Sequence, residues 1–221
     1  RPVSLRVQVG QQVVLLAKAT DPDVGRPPLD QQLSFSFRQV AGPTVLITTR
    51  LLTPLPAEAY QRGYWAITAT TRANSASPLC GVKSCNYLNF LLARRQAREA
   101  GAHEALLLNE KGFVSEGSFT NLFLISGSVL VTPDLASGPL PGVTRGVVLE
   151  LARGLGIAVS ERPVPSAELS AAGEAFLSSS ILEVMPLTRM DGRPIGEGKP
   201  GAIALRLMAA YRQAVARETA V

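Results

Sequence analysis

A single lysine, Lys83, sits in Gly81-Val82-Lys83-Ser84-Cys85-Asn86-Tyr87-Leu88-Asn89, between an irregular stretch and a helical one. A lysine partly withdrawn from water at such a junction keeps its amine neutral, and a neutral amine attacks a carbonyl carbon. Three further pieces follow it along the chain. Ser115-Glu116-Gly117-Ser118-Phe119-Thr120-Asn121-Leu122-Phe123 offers a carboxylate among small residues. Leu140-Pro141-Gly142-Val143-Thr144-Arg145 opens a helix, where backbone N–H groups and a threonine hydroxyl suit a phosphate. Ser178-Ser179-Ser180-Ile181 gathers hydroxyls at the end of a strand. Each piece alone has an ordinary reading: a surface lysine, a solvated turn carboxylate, a capped helix and strand-end serines. Together they supply a nucleophilic amine, an acidic group and an anion site.

Those pieces need a frame to hold them. Apolar spacing predicts a helix over 87–100, with Asn86 as N-cap, Tyr87, Leu88, Leu91 and Leu92 on one face, and Gly101 as its stop. Strands are expected at 44–48 and 65–71. A hairpin over 104–109 and 113–114 turns at Glu110-Lys111-Gly112, which leaves Glu116 in a Gly/Ser turn beyond it. A second hairpin over 121–125 and 129–131 turns at Gly127-Ser128. The helix over 144–155 directs Val147, Val148, Leu151 and Leu155 inward and stops at Gly156. A short helix over 166–172 takes Ser166 as N-cap. Strands at 175–178 and 187–190 precede a last helix over 202–217, with Ile203, Leu207, Met208 and Tyr211 on one face. Strands interleaved with peripheral helices read as α+β. Upstream, 1–42 reads as short strands and turns. Apolar residues alternate at Val3, Leu5, Val7 and Val9 and again at Leu33, Phe35 and Phe37; Val13 to Ala17 is apolar, and a turn cluster lies at Asp21-Pro22-Asp23-Val24-Gly25. Pro54-Leu55-Pro56 reads as a linker, which divides the chain into 1–54 and 55–221.

Composition narrows the function classes. With 46% apolar and 18% charged residues in 221, the chain has the makings of an ordered core. No apolar run reaches the roughly 18 residues of a spanning helix, so a membrane is not an expected partner. The net charge of +5 comes from scattered arginines without a basic run or interleaved aromatics. That pattern favours an anionic small ligand over nucleic acid. Cys80 and Cys85 stand alone as C-x4-C beside a single histidine, His103, which excludes a zinc site and a Ser-His-Asp or Cys-His system. Neither a metal nor a disulfide is expected, and a reduced cytoplasmic setting is.

The order K-x-x-N-Y-L, EGSFTNLF, LPGVTR, within a span from about Pro43 to Tyr211, resembles the class IV aminotransferases. That group holds branched-chain aminotransferase, D-amino-acid aminotransferase and aminodeoxychorismate lyase. An amine, an acid and a phosphate-binding helix start match what pyridoxal 5'-phosphate demands. The resemblance implies that Lys83 is the Schiff-base lysine and proton shuttle, and that Glu116 pairs with the pyridine nitrogen. It gives Gly142, Val143 and Thr144 to the phosphate, and Ser180 and Ile181 to the phosphate and substrate carboxylate. It brings Tyr87 toward the cofactor's ring hydroxyl. The implied fold is fold-type IV: a large pseudo-barrel domain with a truncated or divergent small N-terminal domain, usually in a homodimer. The implied activity moves an amino group between an amino acid, branched-chain or D-, and a 2-oxo acid. Aminodeoxychorismate lyase, releasing pyruvate, and a catalytically silent truncated member are the alternatives. The K-x-x-N spacing is one residue shorter than in branched-chain enzymes and closer to the other two branches. The family also places a longer region before the lysine, and that region carries a phosphate-binding arginine. Arg38 and Arg50 are the nearby candidates, and residues 1–42 show none of the usual signature. A partial small domain would leave apolar surface bare, so a compensating dimer or aggregation is expected.

Overall fold

The computed structural model describes residues 54–219 and, upstream, the backbone of two strands, β1 (Leu33–Phe37) and β2 (Val45–Thr49). The chain divides into two units between Pro54 and Leu55. In the first, β1 and β2 pair antiparallel with Phe35 opposite Ile47, and the alternation of Leu33, Phe35 and Phe37 marks the strand as expected. The segments expected to be extended at 3–9 and 13–17, the turn at Asp21, and Arg38 and Arg50 lie outside the described residues.

The second unit runs through α1 (Ala57–Arg62), β3 (Tyr64–Thr68), α2 (Leu88–Glu99), β4 (Glu104–Leu108), β5 (Val114–Gly117), β6 (Asn121–Ser126) and β7 (Val129–Pro133). A 3-10 turn at Leu135–Ser137 leads to α3 (Val143–Gly154), β8 (Ala158–Arg162), α4 (Ser166–Ala171), β9 (Glu174–Ser179), β10 (Glu183–Met190), β11 (Arg193–Pro194) and α5 (Ala202–Thr219). The architecture is α+β, as the interleaving predicts. Its strands form one nine-stranded mixed sheet in the order β5-β4-β3-β10-β9-β6-β7-β8, with β11 paired to β10.

Both faces of the sheet are covered at β4, β6 and β7, which is why these strands read as nearly continuous apolar runs. Side chains alternate between faces with a period of two. Leu106, Leu108, Leu122, Leu124, Leu177, Met185 and Leu187 fill the concave core. Their neighbours in sequence point the other way. Phe123, Ile125, Phe176 and Val184 meet α3 and α5 through Val148, Leu149, Ala152, Ala204 and Leu207. Ala105 and Leu107 meet α2 through Ala93 and Ala97. Phe123 and Phe176, directly opposite on β6 and β9, stack at 4.8 Å. The sheet curls until its two ends meet. The Val114 N–H of β5 donates to Val164 O, just past β8, at 2.8 Å, and Phe113 bridges Pro165. The result is a half-barrel with edges that pair instead of lying open.

Three local expectations give way. Asn86 does not cap α2, whose N-cap is Tyr87 without a side-chain bond; Ser84 Oγ takes the Asn86 N–H instead. Pro165, not Ser166, precedes α4. The inward face of α2 consists of Ala93 and Ala97, while Leu88 and Leu91 stay 64% and 53% exposed. The alanines meet β4, with Phe90 packed beside them, while Leu88 and Leu91 turn outward.

Candidate active site

The approach to Lys83 is stapled to the β4–β5 hairpin. The Ala73 N–H donates to Leu108 O at 2.9 Å. Ser75 donates from N at 2.9 Å and from Oγ at 2.6 Å to the Glu110 carboxylate, which these bonds hold at a pKa of about 2. Cys80 Sγ donates to Gly138 O at 3.1 Å. Both cysteines are free thiols. Gly81 turns the chain at φ 72, a conformation that suits a residue without Cβ. Lys83 then stands exposed, outside the desolvated cleft the sequence suggests, with Nζ 5.1 Å from the Tyr87 ring centroid.

Glu116 lies within β5, paired opposite Leu107, not in the turn expected for it. It is 8% exposed, and its carboxylate accepts the Leu140 N–H at 3.0 Å. Burial pushes its pKa up from 4.5 to about 7, and the negative charge of Glu104 adds to the rise. The Leu140 N–H and the positive charge of Lys83 act against it. A carboxyl in this condition is completed by a cation placed beside it.

The Leu140 peptide is gripped on both sides. Glu116 takes its N–H, and Asn121 Nδ2 donates to its carbonyl at 2.9 Å. Asn121 Oδ1 also fills the space where a Cβ on Gly142 would sit, so glycine is the residue that lets the chain pass. Gly142 is the N-cap of α3, and Gly146 N–H closes the first helical bond to its carbonyl at 3.0 Å. The amides of Val143, Thr144 and Arg145 therefore open the helix without intrahelical acceptors, at its positive end. Val143 is 82% exposed and Thr144 is buried.

Ser178 of β9 pairs opposite Asn121. Its Oγ is buried and, among the described residues, has no hydrogen-bond partner. Ser180 and Ile181 follow in the turn between β9 and β10, both exposed, and neither bonds to the other candidates among the described residues. The structure thus joins Glu116 to Gly142 and the start of α3 through Leu140 and Asn121, places Lys83 beside Tyr87 and within the electrostatic reach of Glu116, and sets Ser180 and Ile181 beyond the end of β9.

Asn121, Ser178 and Glu104 are the contributors that sequence reasoning did not single out. Glu104, 1% exposed, accepts from Ser118 N at 3.1 Å, Ser118 Oγ, Thr120 Oγ1 at 3.0 Å and Ala105 N at 2.8 Å. It thereby braces the turn beyond Glu116. His103 is structural, accepting the Trp65 N–H at 3.1 Å and stacking on Tyr64. The donor set fits pyridoxal phosphate: an accessible amine, a buried carboxyl short of a cation, a free helix N-terminus and an unpartnered hydroxyl.

Comparison with known proteins agrees with that chemistry. The family model described as amino-transferase class IV matches residues 12–190, beginning well upstream of Pro43. A Methanocaldococcus jannaschii protein provisionally named branched-chain-amino-acid aminotransferase is 38% identical over 181 residues, 81% of this chain and 62% of that protein. The Escherichia coli K12 branched-chain-amino-acid aminotransferase is 36% identical over 159 residues, 71% of this chain and 52% of that one. Among solved structures, the T.th. branched-chain amino acid aminotransferase with pyridoxamine 5'-phosphate superposes with a TM-score of 0.73 at 35% identity, over 81% of this chain and 60% of that one. The E. coli branched-chain enzyme gives 0.71 at 34%, over 77% and 57%. The chain spans between half and two thirds of the length of these relatives.

Proposed function

The chain belongs to the class IV aminotransferases, and from that premise we propose that it moves an amino group between a branched-chain amino acid and a 2-oxo acid, with pyridoxal 5'-phosphate held at Lys83. The observation that carries this reading is Glu116, a buried carboxyl raised to about 7, fixed by the Leu140 N–H and within the electrostatic reach of Lys83. The choice of a branched-chain substrate rests on the names of the relatives.

Lys83 would hold the cofactor's aldehyde carbon and Glu116 its ring nitrogen. The N–H groups of Val143 and Thr144, past Gly142, would hold the phosphate with Ser180 and Ile181, and Tyr87 would meet the ring hydroxyl. When bound, pyridoxal phosphate supplies an electrophilic carbonyl and a ring that accepts the electron pair left at the substrate Cα. Lys83 Nζ would take the substrate Cα proton and return it to the cofactor carbon on the far side of the transferred nitrogen, a short transfer suited to a mobile amine. Glu116 would ionise beside a protonated ring nitrogen, because an adjacent cation lowers a carboxyl pKa that burial has raised. Asn121 and Leu140 keep that carboxylate from turning away. In the half-barrel, the closed sheet supplies the rigid base against which these groups keep their spacing.

The test is a product assay on the full chain supplied with pyridoxal phosphate. Leucine, isoleucine and valine with 2-oxoglutarate should yield the matching branched 2-oxo acids, and Lys83→Ala should yield none. Turnover of D-amino acids alone, pyruvate release from aminodeoxychorismate without transamination, or no lysine-dependent product would overturn the reading.

A further inference from the structure

We propose that Phe119 is a positioning residue for Lys83, acting through Tyr87, and that the buried Glu104 fixes the turn from which it acts. The inference rests on the reading that Lys83 captures the cofactor's aldehyde. Four groups contact one another in succession: the Lys83 ammonium 5.1 Å from the Tyr87 centroid, the Tyr87 ring 6.2 Å from the Phe119 ring at 18°, and the Arg94 guanidinium 5.2 Å from the Phe119 centroid. Phe90 flanks Tyr87 at 5.7 Å. Tyr87 thus contacts two aromatic rings as well as the Lys83 ammonium.

A lysine needs such a contact. Its four-carbon stem has many rotamers, and an exposed amine with no carboxylate partner among the described residues spends little time in one of them. A ring that attracts the ammonium narrows that distribution, so the neutral amine that attacks the aldehyde starts from the rotamer the ring selects. Phe119 itself is 46% exposed. The turn is built to hold it there. Ser118 N donates to Ala105 O at 2.9 Å, Gly117 N to Thr120 O at 2.7 Å, and both hydroxyls on either side of Phe119 bond to Glu104. Arg94, anchored to His103 O at 3.0 Å and 3.9 Å from Glu104, closes the far side of the ring. These bonds fix the turn that carries Phe119, whose ring contact with Tyr87 leads to Lys83; the charge of Glu104 also reaches Glu116.

The experiment follows the rate at which the ligand-free full chain incorporates pyridoxal phosphate, trapped by borohydride and read as the mass increment on the Lys83 peptide. Phe119→Ala should slow incorporation about fivefold, the scale of one aromatic pair. Phe119→Tyr, which keeps the ring, should restore it. Phe119→Leu retains apolar bulk and folding but loses the flat face, and should be slow. In a Tyr87→Ala background, Phe119→Ala should add nothing, since its effect passes through Tyr87. Equal rates for wild type and Phe119→Leu, or a full additive loss in the Tyr87→Ala background, would overturn the inference alone. Absence of incorporation at Lys83 in the wild type would remove the functional reading with it.

Discussion

At the scale of the residue, Glu116 makes the sharpest prediction. Its pKa rises from 4.5 to about 7 on folding, chiefly through burial. Between those values the folded chain binds a proton that the unfolded chain has released, so stability falls as pH rises. The cost is absent below about 4.5 and grows to about 3 kcal/mol by pH 8, as an order of magnitude. Glu116→Gln keeps an acceptor for the Leu140 N–H and removes the titration. In urea unfolding of the ligand-free protein it should be more stable than wild type by about 3 kcal/mol at pH 8 and by less than about 1 at pH 5. An advantage that does not grow with pH would mean the carboxyl is not desolvated as described. The motifs around Lys83, Glu116 and Thr144 were legible because each is a local string. Asn121 stood inside one of them, but its partner Leu140 lies on another element, and no local pattern announces that bond.

Elements were legible wherever a periodic run met a turn signal. Both hairpins, α3 and α5 fall where spacing puts them, because Gly127, Gly156 and the Asp191-Gly192 pair punctuate the chain. Glu116 shows the limit. Whether it continues β5 or turns is decided by pairing with Leu107 across the hairpin, and small residues such as Ser115 and Gly117 read as a turn until that partner is known. The α2 stripe is a second case, since periodicity finds an apolar face but not which surface of the sheet receives it. The start of α3 gives a paired test. Gly142→Ala forces a Cβ onto Asn121 Oδ1, and Asn121 cannot swing aside without dropping the Leu140 carbonyl. Overpacking of this kind costs about 1–3 kcal/mol, and it should also weaken inorganic phosphate binding measured by calorimetry. Gly146→Ala, in the same helix with open space around it, should instead stabilise by about 0.5–1 kcal/mol in thermal unfolding. The two substitutions should differ in sign; a shared sign would show that the Asn121 contact yields freely.

At the scale of the whole molecule, the described residues leave apolar side chains uncovered where the chain enters α2. Leu79, Val82, Leu88 and Leu91 are at least half exposed, all within the stretch that carries Lys83 and opens α2. Sequence periodicity alone would have buried Leu88 and Leu91, and the reason it fails is that the helix presents alanines to the sheet. Apolar groups gathered in this way mark a surface for association. Leu88 and Leu91 lie one turn apart on α2, so a second copy could cover both with a single element. We expect reversible dimerisation through this face. Burying each leucine contributes roughly 1.5–3 kcal/mol, so Leu88→Glu with Leu91→Glu should weaken association about a hundredfold or more. Leu205→Glu, on the exposed side of α5, is the control and should leave it unchanged. Sedimentation equilibrium over a range of concentrations separates the cases. A wild-type chain that stays monomeric throughout, or a Leu205 variant that dissociates as readily as the α2 pair, would place the contact elsewhere. Because the same stretch carries Lys83 and Tyr87, loss of the dimer should also slow pyridoxal phosphate capture, and the two readouts should move together across the α2 variants.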